Sequence, residues 1–118
     1  MSIDVDGQDF WVWMAFDYKP KVIIIECNGG FGPGISKTMQ FNPSHNWDGT
    51  EYEGATFLAM CKLGIDKGYT CVAFNGLNAF FVRDDLVSNK EDFHVDKLFC
   101  WGVTHLADPQ KRPWVQID

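Results

Sequence analysis

The chain is short of the features that most directly declare a biochemistry. Its four cysteines, at 27, 61, 71 and 100, include no CxxC pair and are too sparse for a disulfide scaffold. Cys61 and Cys71 sit inside apolar segments, so all four read as reduced thiols. Cys27 has no encoded base beside it and reads as an inert core residue rather than a nucleophile. His45, His94 and His105 form neither HxxxH nor HExxH, which removes the helical zinc-hydrolase motifs and leaves lone surface histidines as the commoner reading. Basic residues are few: 10 Lys and Arg stand against 16 Asp and Glu, for a formal charge of -6. No basic cluster is available to neutralise phosphates, so nucleic acid is not an expected partner. Nor is a membrane, because nowhere do the roughly 18 to 20 apolar residues of a span run together, and the acidic start MSIDVDGQD is no signal peptide. Internal repeats and low-complexity blocks are also missing.

What is present is the material of one folded domain. The chain has 118 residues, 46% of them apolar, with ten phenylalanines and five tryptophans. That is enough for a real core but small for a complete cofactor-dependent enzyme.

The most legible stretch is Lys21 to Cys27. Val22 to Ile25 are four consecutive β-branched residues, which predict a buried central strand covered on both sides. Glu26, Cys27 and Asn28 follow, and Gly29-Gly30-Phe31-Gly32-Pro33-Gly34 turns the chain into a loop. Ser2 to Val5 is a shorter strand ended by Asp6-Gly7. Asp9 can cap a helix carrying Phe10, Trp11, Trp13, Met14 and Phe16, whose aromatics read as packing rather than as a stacking platform. Strand, helix and strand in this order make a parallel unit.

Gly29 to Gly49 is a long loop with an extended piece at Thr38 to Phe41, of the kind that serves as a lid. It lacks the Lys and Ser/Thr of a phosphate-binding loop. Thr50 to Lys67 reads as the main helix, stopped at Gly68. Tyr69 to Phe74 and Ala79 to Arg83 form a hairpin about Asn75-Gly76-Leu77-Asn78. A short helix is expected within Glu91 to Trp101, and a polar turn at Asp108 to Pro113 precedes Trp114 to Ile117.

Asp4, Asp6 and Asp9 cluster after the first strand, and Glu26 with Asn28 ends the next. If those strands are parallel neighbours, all five oxygen-bearing side chains meet at one edge of the sheet, where ligands bind in open α/β folds. Oxygen donors suit a hard cation such as Mg²⁺ or the hydroxyls of a sugar. Asp at a strand end also caps helices and satisfies turns, which is the competing reading.

The ordered segments SIDVDGQDFWVW, KVIIIECN with FGP, WDGTEYEGATFLAMCKLGIDKGY and NAFFVRDDL resemble the C-terminal half of FkbM-type, S-adenosylmethionine-dependent methyltransferase-like proteins, over roughly residues 2 to 86. The resemblance implies half of a Rossmann-like sheet: two parallel strands, a helix and an antiparallel terminal hairpin, in a single domain. In the family order 3-2-1-4-5-7-6, this chain starts at strand four, and the strands that hold the cofactor are not represented. Mg²⁺ or S-adenosylmethionine is therefore expected only with a complementing chain. By position, Asp6, Glu26 and Asn28 resemble the metal set of metal-dependent members. Without strands one to three, strand four is a bare edge, so Ser2, Ile3 and Val5 are expected to pair with a second copy or another protein. Three functions follow as expectations. The first is a non-catalytic oligomerising or interaction module, of a kind a virus would reuse. The second is a metal- or small-ligand-binding enzyme or split methyltransferase subunit, and the third a metabolite-sequestering inhibitor. The expected location is cytoplasmic or within a viral assembly.

Overall fold

Four strands, β1 (Ser2–Ile3), β2 (Val22–Glu26), β4 (Tyr69–Phe74) and β5 (Asn78–Arg83), form one mixed sheet in the order β1-β2-β5-β4 in the computed structural model, which describes all of residues 1–118. β1 runs parallel to β2, with Ser2 opposite Ile24 and Ile3 opposite Ile25. β5 is antiparallel to both β2 and β4. The hairpin turns where Asn75 Oδ1 accepts the amides of Leu77 and Asn78, the carboxamide closing the turn as expected of Asn in this position.

One face of the sheet is sealed. Ile23 and Ile25 of β2 and Ala79 and Phe81 of β5 are buried there under α1 (Asp9–Ala15) and α2 (Phe57–Asp66). Trp13 of α1 is fully enclosed, edge-on to Tyr69 and Phe81 at ring distances of 5.6 and 4.9 Å. Gly64 of α2 lies so close to Phe81 that a β-carbon would overlap the ring, which is how the helix seats on the sheet. Phe10 and Trp13 thus pack as expected, and the partly buried Trp11 donates its indole N–H to the Met39 carbonyl at 2.8 Å.

The opposite face corrects the reading of β2 as covered on both sides. Val22 is exposed and Ile24 half-buried, and their cross-strand partners Val82 and Phe80 are half-buried too. Four β-branched residues in a row cannot reveal whether a second layer exists; here the two helices occupy one face only.

The main helix also differs from expectation. It starts at Phe57, not Thr50, because Gly54 adopts a left-handed backbone (φ +61°) and Thr56 caps the helix by accepting the Ala59 amide. Residues 50–56 are instead an irregular, bent segment in which Thr50, Ala55 and Thr56 make isolated bridges to Leu106, Thr38 and Asn28. Within the long loop, β3 (Lys37–Met39) pairs antiparallel with β6 (Trp114–Gln116), so the chain from Gly29 to Gly49 is pinned by a second, two-stranded sheet. Arg112 adds a clamp, bonding Asp48 at 2.7 Å and Asp108 at 2.9 Å. The expected short helix near residue 95 is the single turn α3 (Val95–Leu98). No helix is long and apolar enough to cross a membrane.

Candidate functional site

The ends of β1 and β2 open into a cavity of about 600 Å³. Asp4 and Asp6 enter it from the turn after β1, Asp9 from the first residue of α1, Glu26 from the last residue of β2, and Asn28 two residues further on. The parallel pairing of β1 with β2 is what aligns these ends, so all five expected residues line one space. Glu53, Trp47, Trp101 and His105 complete the walls from segments distant in sequence. At the rim three loops cross at glycine: Gly102 N–H donates to the Gly29 carbonyl at 2.8 Å, and a β-carbon on Gly29 would strike the Gly76 carbonyl.

The turn Asp6-Gly7 shapes the floor. Both residues have left-handed backbone, φ +50° and +86°. A β-carbon on Gly7 would overlap Glu53 Oε1, so this glycine lets the carboxylate come down on the turn. Glu53 is also held by His45, whose Nε2 lies 2.6 Å from Oε1. His45 is therefore a buried, paired residue and not a lone surface histidine.

Asp9 does not cap its helix. The cap position is Gln8, without a side-chain bond, and Asp9 Oδ2 instead accepts the Val5 amide at 3.1 Å, bracing the turn from inside. Asn28 is occupied by the fold: its Nδ2 donates to the Glu51 and Glu53 carbonyls at 2.9 and 3.0 Å, and its Oδ1 accepts the Gly30 amide at 2.9 Å. Those bonds tether the backbone of residues 51–53 and so deliver Glu53 to the cavity. Of the expected interface residues, Ile3 turns inward and is buried, whereas Ser2 and Val5 are exposed.

Crowding of carboxyl groups sets the electrostatics. Burial, then a hydrogen bond with the Asp4 carboxyl, then the charges of Asp4, Asp9 and Glu53 push Glu26 up to about 8. Burial raises Asp9 to about 6 against the opposing Val5 amide bond. Burial also raises Glu53, partly offset by His45. Cys27 lines the cavity as a thiol that burial pushes well up, which suits an inert residue.

Mg²⁺ does not fit the set Asp6, Glu26 and Asn28. The Asn28 carboxamide is engaged on both sides, and no group of three or more His, Cys, Asp or Glu side chains is arranged to hold a metal.

Glu53 is not legible as a cavity residue because Thr50 to Lys67 reads as one helix, and the pairing of His45 with it is a tertiary contact. Trp47, Trp101 and His105 carry no local signal at all, since long-range loop packing alone brings them together. His105 stands edge-on to Trp47 at 4.9 Å.

The molecule is thus a mixed α/β domain with an acidic, tryptophan-walled cavity at the ends of its parallel strands. No protein-family model, curated protein or solved structure matches it.

Proposed function

We propose that the chain is a small-ligand-binding module built on the strand-four-to-seven half of a methyltransferase-like sheet, and that its cavity takes a small organic cation. The carrying observation is the lining: the carboxyl groups of Asp4, Asp6, Asp9, Glu26 and Glu53 with Trp47 and Trp101, and no lysine or arginine. A cation gains both Coulombic attraction and the faces of the tryptophans, which are 52% and 64% exposed. Its charge favours the ionised form of Glu26, whose proton is held by burial and by the neighbouring carboxyl groups, so binding at neutral pH releases a proton. The sheet order β1-β2-β5-β4, with a terminal antiparallel hairpin, supports the half-fold reading because it follows the 4-5-7-6 part of the family order. S-adenosylmethionine is a sulfonium cation and falls within the ligand class.

Calorimetric titration with spermidine, S-adenosylmethionine and Mg²⁺ tests this. The expected result is saturable binding of an organic cation, proton release on changing the buffer, and weakening by Trp101→Ala and Asp4→Asn. Absence of binding by both organic cations overturns the proposal, as does stoichiometric Mg²⁺ binding lost in Asp6→Ala.

A second reading, the oligomerising or interaction module, is favoured by the free edge of β1 and by the open sheet face carrying Val22, Ile24, Phe80 and Val82.

A further inference from the structure

The acidic cavity has two chemically different ends. Asp4 and Asp6 enter it after β1 and Glu26 at the end of β2, whereas the turn between β4 and β5 supplies Leu77 and the chain beyond α3 supplies Trp101 and Val103. The sheet order β1-β2-β5-β4 keeps the two groups apart. β1 and β2 end at the edge of the sheet where β4 turns into β5, so the acidic turn and the hairpin turn lie side by side along that edge. Two strand spacings separate β1 from β5 and three separate it from β4, which puts about 10 to 14 Å between the two turns.

Backbone bonds fix the apolar end. Cys27 N–H donates to the Leu77 carbonyl at 2.7 Å, Gly102 N–H to the Gly29 carbonyl at 2.8 Å, and the Cys100 thiol to the Phe74 carbonyl at 3.4 Å. The side chains there are nevertheless left in solvent: Leu77 is 52% and Val103 72% exposed, with Trp101 between them in the same state. Scattered exposed apolar residues need no explanation, but these three line one cavity whose other end is acidic. Covering them removes apolar surface from water, which a purely ionic ligand does not do.

We propose that the ligand of this cavity is an amphipathic amine, a primary ammonium group carrying an apolar tail. The proposal rests on the cation reading given above and adds an apolar determinant to it. The ammonium group seats among Asp4, Asp9 and Glu26, where its three N–H donors meet carboxyl oxygens. The tail follows the sheet edge past Gly29 to Leu77, Trp101 and Val103, and a cavity of about 600 Å³ has room for both parts. Spermidine, charged along its whole length, reaches the acidic end but leaves the apolar end uncovered or sets a charge against it.

Calorimetric titration of the full chain with n-butylamine, n-octylamine and n-octanoate, beside spermidine, tests this. Octylamine should bind more tightly than butylamine by roughly two- to fourfold for each added methylene, and octanoate should not bind. A double variant, Leu77→Ser with Val103→Ser, changes two exposed side chains and no backbone bond, and should remove the advantage of octylamine while leaving butylamine and spermidine as they were. If spermidine binds but octylamine binds no more tightly than butylamine, the apolar determinant is overturned and the cation reading stands; the same follows if the folded double variant keeps the advantage of octylamine. If neither spermidine nor an amine binds, both fall. Octanoate binding as tightly as octylamine overturns the ammonium seat. If the double variant does not fold, the ratio of octylamine to butylamine affinity in the unaltered chain decides.

Discussion

Glu26 shows how far a residue's meaning depends on its neighbours. Its folded value of about 8 lies above the ordinary 4.5, so across that window the folded chain holds a proton that the unfolded chain has lost. The stabilisation is complete below 4.5 and disappears as pH rises through about 8; Asp9 behaves alike between 3.8 and about 6. Asp48, Asp85 and Asp108 act oppositely: Thr50 with Arg112, Arg83, and Arg112 respectively hold them low, so their contribution is lost only as pH falls below 3.8. The melting temperature should therefore decline as pH is raised across the 4.5-to-8 window. Glu26→Gln, which fixes the neutral form, should recover several degrees at its alkaline end, roughly 1–2 kcal/mol after solvent screening is allowed for. A wild type whose melting temperature rises over the same range would refute the assignment of a retained proton. Gly7 makes a second residue-scale prediction. Gly7→Ala meets both a left-handed backbone and Glu53 Oε1, so denaturant titration should show a loss of about 2 kcal/mol, with a weakened spermidine affinity.

At the scale of elements, the boundary of α2 separates what local sequence could and could not convey. Phe57, Leu58, Cys61 and Leu63 or Ile65 read as one helical face with Lys67-Gly68 as its stop; Phe57, Cys61 and Leu63 are buried and the stop is as expected, whereas Leu58 is half-buried and Ile65 is exposed. The start was misplaced by seven residues' worth of chain, Thr50 to Thr56, because a helix-compatible run gives no sign that Asn28 will claim its carbonyls. Thr56 Oγ1 accepts both the Ala59 and Lys37 amides, joining α2 to β3. Thr56→Ala leaves both donors unmet in a buried position and should cost about 1–2 kcal/mol in denaturant titration, whereas Thr56→Ser should retain most of it. Equal losses for the two variants would show that the methyl group, and not the cap, carries the effect.

For the whole molecule, the telling surfaces are the β1 edge and the half-covered face beside it. If a second chain pairs there, sedimentation should detect an assembly that Val5→Lys disperses while the circular dichroism stays that of the folded domain. A chain that sediments as a monomer at high concentration, indifferent to Val5→Lys, would leave the cavity as the sole binding surface and refute pairing through β1. The sequence by itself determined the strands β2, β4 and β5, the hairpin turn and the acidic strand ends, because each is written in a run of adjacent residues: β-branched side chains, Asn-Gly, or Asp and Glu where such a run stops. Tertiary structure alone decided that the acidic groups share a cavity with Glu53, Trp47 and Trp101, and that Glu26 keeps a proton there. Those properties arise from distance and burial between segments remote in the chain, and local patterns encode neither.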